Sequence, residues 1–383
     1  MFSGIIKLLL LSLSFLGLAA VASINTSNGY NLPTGVTPLS REIHELHMIV
    51  FWVCVVIGVG VFSVMGYSIV NHRKSKGYKA AQFHDSLTIE VLWTIIPLVV
   101  LIVIAVPATK LLIDLEDSTE SDMTIKITGY QWKWKYDYID GAAEGVGFFS
   151  NLDDRSRREL QASIELGAVP TSEKYLVDVD NELVVPVNKK IRFLVTSNDV
   201  IHSWWVPDFG VKQDAIPGFI NDAWATIQQP GVYRGNCTEL CGKDHAYMPI
   251  VVRALPEKEF EEWVYNRKNA SEIAAAAANR SFTLEELVEK GKGVYDRSCA
   301  ACHGATGAGV PGAFPAMTNS PIVLGDINVH VGMILNGVAG TAMQAFREQL
   351  SDVEIAAVVA YERNALGNSV GDFVQPKEVK AAR

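Results

Sequence analysis

Two uninterrupted apolar runs constrain this chain more than any other feature. Residues 48–70 read MIVFWVCVVIGVGVFSVMGYSIV, and residues 89–108 read IEVLWTIIPLVVLIVIAVPA. Each has about the 20 residues that a helix needs to cross a ~30 Å hydrocarbon core. In that core every backbone N–H and C=O must be satisfied within its own segment, so each run predicts a helix. Pro97 and Pro107 fall in the second run, where neighbouring groups can re-satisfy the carbonyls they free. The connecting residues, NHRKSKGYKAAQFHD, carry Arg73, Lys74, Lys76 and Lys79. Cationic loops stay on the cytoplasmic side. That puts this loop inside, with the mature N-terminus and everything after Ala108 outside.

The N-terminus fits this topology. Lys7 precedes a short apolar stretch that ends in Ala20-Val21-Ala22. This predicts a secretory signal over residues 1–22, cleaved after Ala22, rather than a retained anchor. The membrane runs account for a hydrophobic content of 49%, high for a soluble chain of 383 residues. The net charge is −9 and no basic stripe is present, so no nucleic acid is expected as a partner. Cys237, Cys241, Cys299 and Cys302 all lie in the exported part, where paired cysteines are by default disulfides. Cys54 lies within the first run and reads as a small apolar residue.

The pattern predicts a multi-domain chain. A two-helix transmembrane hairpin over 40–110 comes first. Residues 122–265 then read as an all-β Greek-key sandwich: short alternating segments such as MTIKITGY and ELVVPVNKKIRFLVTS are separated by turn signals such as Pro230-Gly231. Within them, residues 141–172 are polar and read as an irregular surface insertion. Residues 266–281 are alanine-rich and read as a semi-rigid, helix-favouring linker. Residues 282–367 read as all-α, with capping boxes at Thr283–Glu286 and Ser351–Glu354. Residues 368–383 read as a frayed tail.

In the α region, Cys299, Cys302 and His303 spell C-x-x-C-H, the attachment pattern of c-type haem. Two thiols a turn apart can add to the two vinyl groups of one porphyrin, and the histidine reaches the iron. A sixth ligand from methionine suits an electron carrier. Met343 sits in a loop, GTAMQAF, before the last helix, and Met317 is the second candidate. Met333 lies within a helical pattern and reads as packing. The bland alternative is a redox C-x-x-C without haem. Over about the last hundred residues the chain resembles small single-haem cytochromes c. The resemblance implies Met343 as distal ligand. It also implies that a first helix bearing Gly291 and Tyr295 crosses the last helix near Tyr361.

In the β region, CTELCGKDHAYMP places Cys237, Cys241, His245 and Met248 in one short loop. His202 follows a strand upstream, and a Greek-key sandwich can bring it beside that loop. Two imidazoles, thiolate and a weak thioether make a copper electron-transfer set. A second cysteine lets two thiolates bridge two coppers. Each copper then has one histidine and one weaker donor: Met248, or a backbone carbonyl. A Cys237–Cys241 disulfide leaves the other three residues unexplained. Zinc tolerates the same donors but carries no electrons beside a haem.

Over residues 40–265 the chain resembles subunit II of cytochrome c oxidase, with its binuclear CuA copper. The resemblance is carried by EVLWTIIP, YQWKW, DVIHSWWVPDFGVKQDAIPG and NCTELCGKDHAYMPI. It implies a cupredoxin domain followed by a cytochrome c domain. It implies that Glu239 gives its carbonyl to copper and its carboxylate toward a magnesium ion shared with subunit I. It implies that Trp132 lies at the electron-input surface and that Glu90 matches a carboxylate at a proton-channel mouth. Ordinary alternatives stand beside these: a solvated loop acid, a packed tryptophan and a helix-start acid. The implied setting is a bacterial inner membrane, with both exported domains on the periplasmic face. The implied partners are subunits I and III and a donor such as cytochrome c. Nitrous oxide reductase needs far more histidine ligands than the eight His here provide. Quinol oxidase subunit II lacks the copper ligands. A free-standing membrane electron carrier is the remaining alternative.

Overall fold

The computed structural model describes residues 31–79, 82, 84–277 and 280–383. The expected signal peptide, 1–22, lies outside them. The chain forms two compact units. One holds both membrane helices and the sandwich; the other holds residues 146–149, 153–175 and 258–383.

Both apolar runs form helices, and each helix outgrows its run. Helix α1 spans Pro38–Asn71 and α2 spans Leu87–Glu116. At 34 and 30 residues they are about 51 and 45 Å long, well beyond a ~30 Å core. The surplus lies toward the sandwich: α1 starts before Met48 and α2 ends after Ala108. There it is pinned. The Thr37 side chain accepts from the Ser40 N–H as the cap of α1, and its hydroxyl donates to the Phe209 carbonyl at 2.8 Å. Gly210 sits at φ +70°, and a Cβ there would lie 2.9 Å from Ile43 Cδ1 and 3.0 Å from Ser40 Cα. At the end of α2, Trp224 Nε1 donates to the Asp114 carbonyl at 3.1 Å. The sandwich is therefore fastened to both membrane helices.

The strands are β1 (Met123–Tyr130), β2 (Lys133–Tyr138), β3 (Gly147–Ser150), β4 (Leu183–Pro186) and β5 (Lys190–Ser197). They continue with β6 (His202–Val206), β7 (Val211–Ala215), β8 (Asn221–Thr226), β9 (Gly231–Cys237) and β10 (Pro249–Leu255). One sheet carries β2, β1, β5 and β8 as neighbours; the other runs β4-β10-β9-β6-β7. β1 pairs with β5 in parallel, Ile125 beside Phe193 and Ile127 beside Val195. All four are fully buried, as a period of two with one face inward requires. The result is a cupredoxin-like sandwich.

Three expectations need correction. Residues 141–172 are not irregular: besides β3 they form helix α3, Asp154–Leu166. Asp153 accepts from the Arg155 and Ser156 N–H groups, and left-handed Gly167 closes the far end. Caps at both ends hold this short, mostly polar helix. The stretch 122–265 is not all β, because helix α4 begins at Glu257 and runs through the expected linker to Ala277. Phe260, Trp263 and Val264 recur at helical spacing, and Phe260 and Val264 are buried. Residues 368–383 are not frayed. Helix α10, Pro376–Ala382, has a Gln375–Glu378 capping box and buries Pro376 and Val379.

The remaining helices are α5 (Leu284–Ser298), α6 (Ala300–His303), α7 (Pro321–Leu324), α8 (Ile327–Asn336) and α9 (Asp352–Asn364). Both predicted capping boxes form. α5 and α9 cross at Gly291, where a Cβ would lie 2.0 Å from the Ala357 carbonyl oxygen. Tyr295 and Tyr361 pack beside this crossing with ring centroids 5.5 Å apart.

Candidate functional site

Strand pairing gathers the first set of donors. β6 opens on His202 and β9 ends on Cys237, and the two strands are antiparallel with Trp204 opposite Cys237. His202 Nδ1 therefore lies 3.9 Å from Cys237 Sγ. The loop after β9 is closed where the Cys237 N–H donates to the Met248 carbonyl at 3.1 Å. Inside this loop, Cys241 Sγ lies 3.5 Å from Nδ1 of His245. The two sulfurs are 3.8 Å apart. That is far beyond an S–S bond of ~2.05 Å, and both cysteines are free. It is within the ~4.6 Å that two sulfurs on one metal can span, twice a ~2.3 Å metal–sulfur bond. The ligand atoms of His202, Cys237 and Cys241 all lie within 4.8 Å of one another, and all three residues are buried. Met248 is buried too. The carbonyl of Glu239 is 3.4 Å from Cys237 Sγ, while its side chain is exposed. Soft sulfur and imidazole donors in a dry pocket fit copper.

The site is electrostatically uneven. A hydrogen bond from Cys241, then contacts with His202 and backbone, hold the Cys237 thiol far below the usual thiol range. The same Cys237 partner, with burial, pushes Cys241 up. One sulfur of the pair is thus poised as thiolate, the form that binds metal. Burial opposes protonation of His202, but its hydrogen bonds to Asp199 and Cys237 outweigh that and raise its pKa.

Three further residues shape this site and escape a reading for ligands. Asp199 Oδ1 accepts from His202 Nε2 at 2.9 Å, which leaves Nδ1 as the lone-pair nitrogen toward the sulfurs. Asp199 also accepts from the Gln131 N–H at 2.7 Å. Gly129 in β1 lies against the His202 ring, where a Cβ would be 2.7 Å from Cδ2. Trp134 is fully buried and stands edge-on to that ring, centroids 5.9 Å apart. A glycine inside an otherwise strand-like segment signals such close approach; an Asp shortly before a ligand His is a weaker cue.

Trp132 is half-buried, and its Nε1–H donates to the Cys241 carbonyl at 3.2 Å. Gln131 Nε2 donates to the same oxygen at 2.9 Å. Glu90 stands in the first turn of α2, at the helix end opposite the sandwich.

The second set of donors sits on one turn. Cys299, Cys302 and His303 lie in and beside α6. Neither cysteine is in a disulfide, and both are partly buried. His303 Nδ1 is 2.8 Å from the Pro315 carbonyl, which takes its N–H and leaves Nε2 for an iron. The Tyr295 hydroxyl donates to the Gly304 carbonyl at 2.8 Å and braces the next residue. Met317 and Met343 both pack partly buried against the helical core. The Met343 loop folds back on α8 through a Val338 N–H to Met343 carbonyl bond of 2.9 Å. Gly337, at φ +64°, makes this turn; a Cβ there would lie 2.5 Å from that carbonyl oxygen. His330, for which the sequence suggests no partner, is buried and 2.8 Å from Glu362.

Comparison with known proteins matches this division. Residues 25–111 fit the family Cytochrome C oxidase subunit II, transmembrane domain, and residues 123–255 fit Cytochrome C oxidase subunit II, periplasmic domain. Residues 286–361 fit Cytochrome C oxidase, cbb3-type, subunit III. A probable cytochrome c oxidase subunit 2 of Rickettsia prowazekii is 36% identical over 60% of this chain and 69% of its own length. Cytochrome c oxidase subunit 2 of Cereibacter sphaeroides is 35% identical over 62% of this chain and 79% of its own length. The periplasmic domain of subunit II of cytochrome oxidase of Bradyrhizobium japonicum is 43% identical, covering 40% of this chain and 98% of that one, with a TM-score of 0.34. With two apolar helices, a cupredoxin-like sandwich and a cytochrome c domain after it, the chain belongs to the cytochrome c oxidase subunit II family.

Proposed function

We propose that this chain takes electrons at a haem c and hands them, through a binuclear copper centre, to an oxygen-reducing partner subunit. One observation carries the reading: two buried, unbonded sulfurs 3.8 Å apart, each facing its own imidazole nitrogen. Cys237 and Cys241 would hold a copper pair through their thiolates, His202 and His245 would give it their imidazoles, and the Met248 sulfur and the Glu239 carbonyl would be the weaker donors. A mixed-valence copper pair supplies one-electron transfer with little change of geometry. The chain's own part is to keep water out, fix both imidazoles and lead electrons in. Trp132 does the last, through its hydrogen bond to the Cys241 carbonyl. The exposed Glu239 carboxylate is free to meet a magnesium ion at the face toward subunit I, and Glu90, at the far end of α2, meets the mouth of a proton path in that subunit.

Cys299 and Cys302 would attach a haem c, and His303 and Met343 would supply its iron with an imidazole and a thioether. Attaching the donor domain to the copper domain raises its effective concentration to the order of millimolar and makes docking less sensitive to salt. The two membrane runs contain no histidine, so the oxygen-reducing centre belongs to subunit I, with subunit III alongside. Cytochrome c or another one-electron donor feeds the haem. The setting is a bacterial inner membrane crossed twice, with both exported domains on the periplasmic face.

Optical and EPR spectra of the purified chain test this. A c-type α-band together with a copper signal split by two equivalent nuclei is the expected result. A single-copper signal, or none, overturns it. Co-purification of a large polytopic haem protein separates an oxidase subunit from a free-standing carrier.

A further inference from the structure

We propose that the buried His330–Glu362 pair takes up one proton when haem c is reduced. The pair's role rests on haem attachment at Cys299 and Cys302, as proposed above. His330 on α8 and Glu362 on α9 are 2% and 1% exposed, and His330 Nε2 lies 2.8 Å from Glu362 Oε2. With the Nε2–H given to the carboxylate, the other ring nitrogen is bare. Among the described residues Nδ1 is buried without a hydrogen-bond partner, an arrangement that calls for an explanation.

Two residues tie the pair to the haem-bearing segments. Asn368 Nδ2 donates to the Glu362 carbonyl at 2.7 Å and to the Met317 carbonyl at 3.2 Å. Tyr295, braced on Gly304 next to His303, has its pKa raised by burial first and also by the charge of Glu362.

Charge supplies the reason. A buried carboxylate needs a compensating positive charge nearby. The neighbouring cation, Arg363, is already committed: it binds Asp372 twice, at 2.6 and 2.7 Å, and also the carbonyls of Val323 and Gly325. On α10, Lys377, Glu378 and Lys380 are exposed, and Glu378 is turned to the Gln375 N–H. Asp326 caps its own helix, α8. α7 carries no titratable side chain. Tyr361, beside Tyr295, is neutral until well into the alkaline range, its pKa raised first by burial. The haem core carries one net positive charge with ferric iron and none with ferrous iron. When an outside donor gives the iron its electron, Glu362 loses that compensation. A proton from solvent, added to His330 Nδ1, restores it.

Potentiometric titration of the full chain in detergent tests this, followed at the haem α-band. The midpoint should fall as pH rises, the sense expected when reduction brings a proton onto an imidazole. One proton per electron corresponds to about 59 mV per pH unit. His330→Gln and Glu362→Gln should each flatten the slope, and Glu362→Gln should also raise the midpoint at alkaline pH. In the unaltered chain, a pH-indicator dye should register proton uptake on reduction. A flat midpoint without uptake overturns the proposal, as does a slope that survives both substitutions. Loss of haem from both variants would make the pair structural and overturn it too. An unaltered chain without any α-band would instead sink the haem assignment itself.

Discussion

The sulfur–imidazole cluster at one end of the sandwich, which we propose holds copper, and the C-x-x-C-H turn, which we propose holds haem, are assembled by opposite routes. At the copper end the donors come from three places: the start of β6, the end of β9 and the loop beyond it. No short stretch holds them all; antiparallel pairing of β6 with β9 brings His202 to Cys237. At the haem end, three donors lie within five consecutive residues on one turn, and a single carbonyl, that of Pro315, orients the histidine. The first site depends on the fold and should respond to whatever moves strands. The second depends on a local turn and on its brace from α5, where Tyr295 holds Gly304.

Four substitutions can break or sharpen that contrast. Cys241→Ser has the largest expected effect. It removes a shared sulfur, so the two-nucleus copper signal should give way to a single-copper one. Oxygen consumption should fall at least about 100-fold, beyond the ~10–100-fold typical of losing an outer-shell partner. The haem α-band should stay. Asp199→Asn comes next: without a carboxylate to hold Nε2, His202 is misoriented and copper affinity should drop by ~10–100-fold in competition with a chelator. Gly291→Ala should act only on the other region. Its methyl meets the Ala357 carbonyl, and overpacking costs about 1–3 kcal/mol. Thermal loss of the α-band should come earlier while the copper signal melts unchanged. Glu239→Gln is the smallest: only the backbone carbonyl faces Cys237, so the copper EPR spectrum should be superimposable on that of the unaltered chain. A copper effect from Gly291→Ala, or a haem effect from Asp199→Asn, would show that the two regions are not independent.

Legibility in the sequence follows the same line. The membrane helices were plain because apolar runs of that length have few other uses. The C-x-x-C-H turn and both capping boxes were plain because their residues are close together. The loop from Cys237 to Met248 was readable, but its junction with His202 needed a fold to be supposed. Gly129 within a strand-like segment signals a close approach and Asp199 is a weaker cue, but neither says which residue it meets, since the sandwich supplies that neighbour. Helix α3 is hard to read because its stretch is mostly polar, and its caps and the Arg155–Glu159 pair are signals easily lost among polar residues. Helix α10 was missed because its signal is two residues, Pro376 and Val379, that become informative only once buried. His330 and Glu362 are 32 residues apart, and nothing in either segment announces the other.

The central claim is that two unbonded sulfurs hold two copper ions at one end of the sandwich. Elemental analysis of the purified, metal-replete chain, free of partner subunits, addresses it most directly. The account predicts two copper atoms for every iron atom, with no zinc. A ratio of one copper to one iron, or a copper-free protein with Cys237 and Cys241 joined, would contradict it.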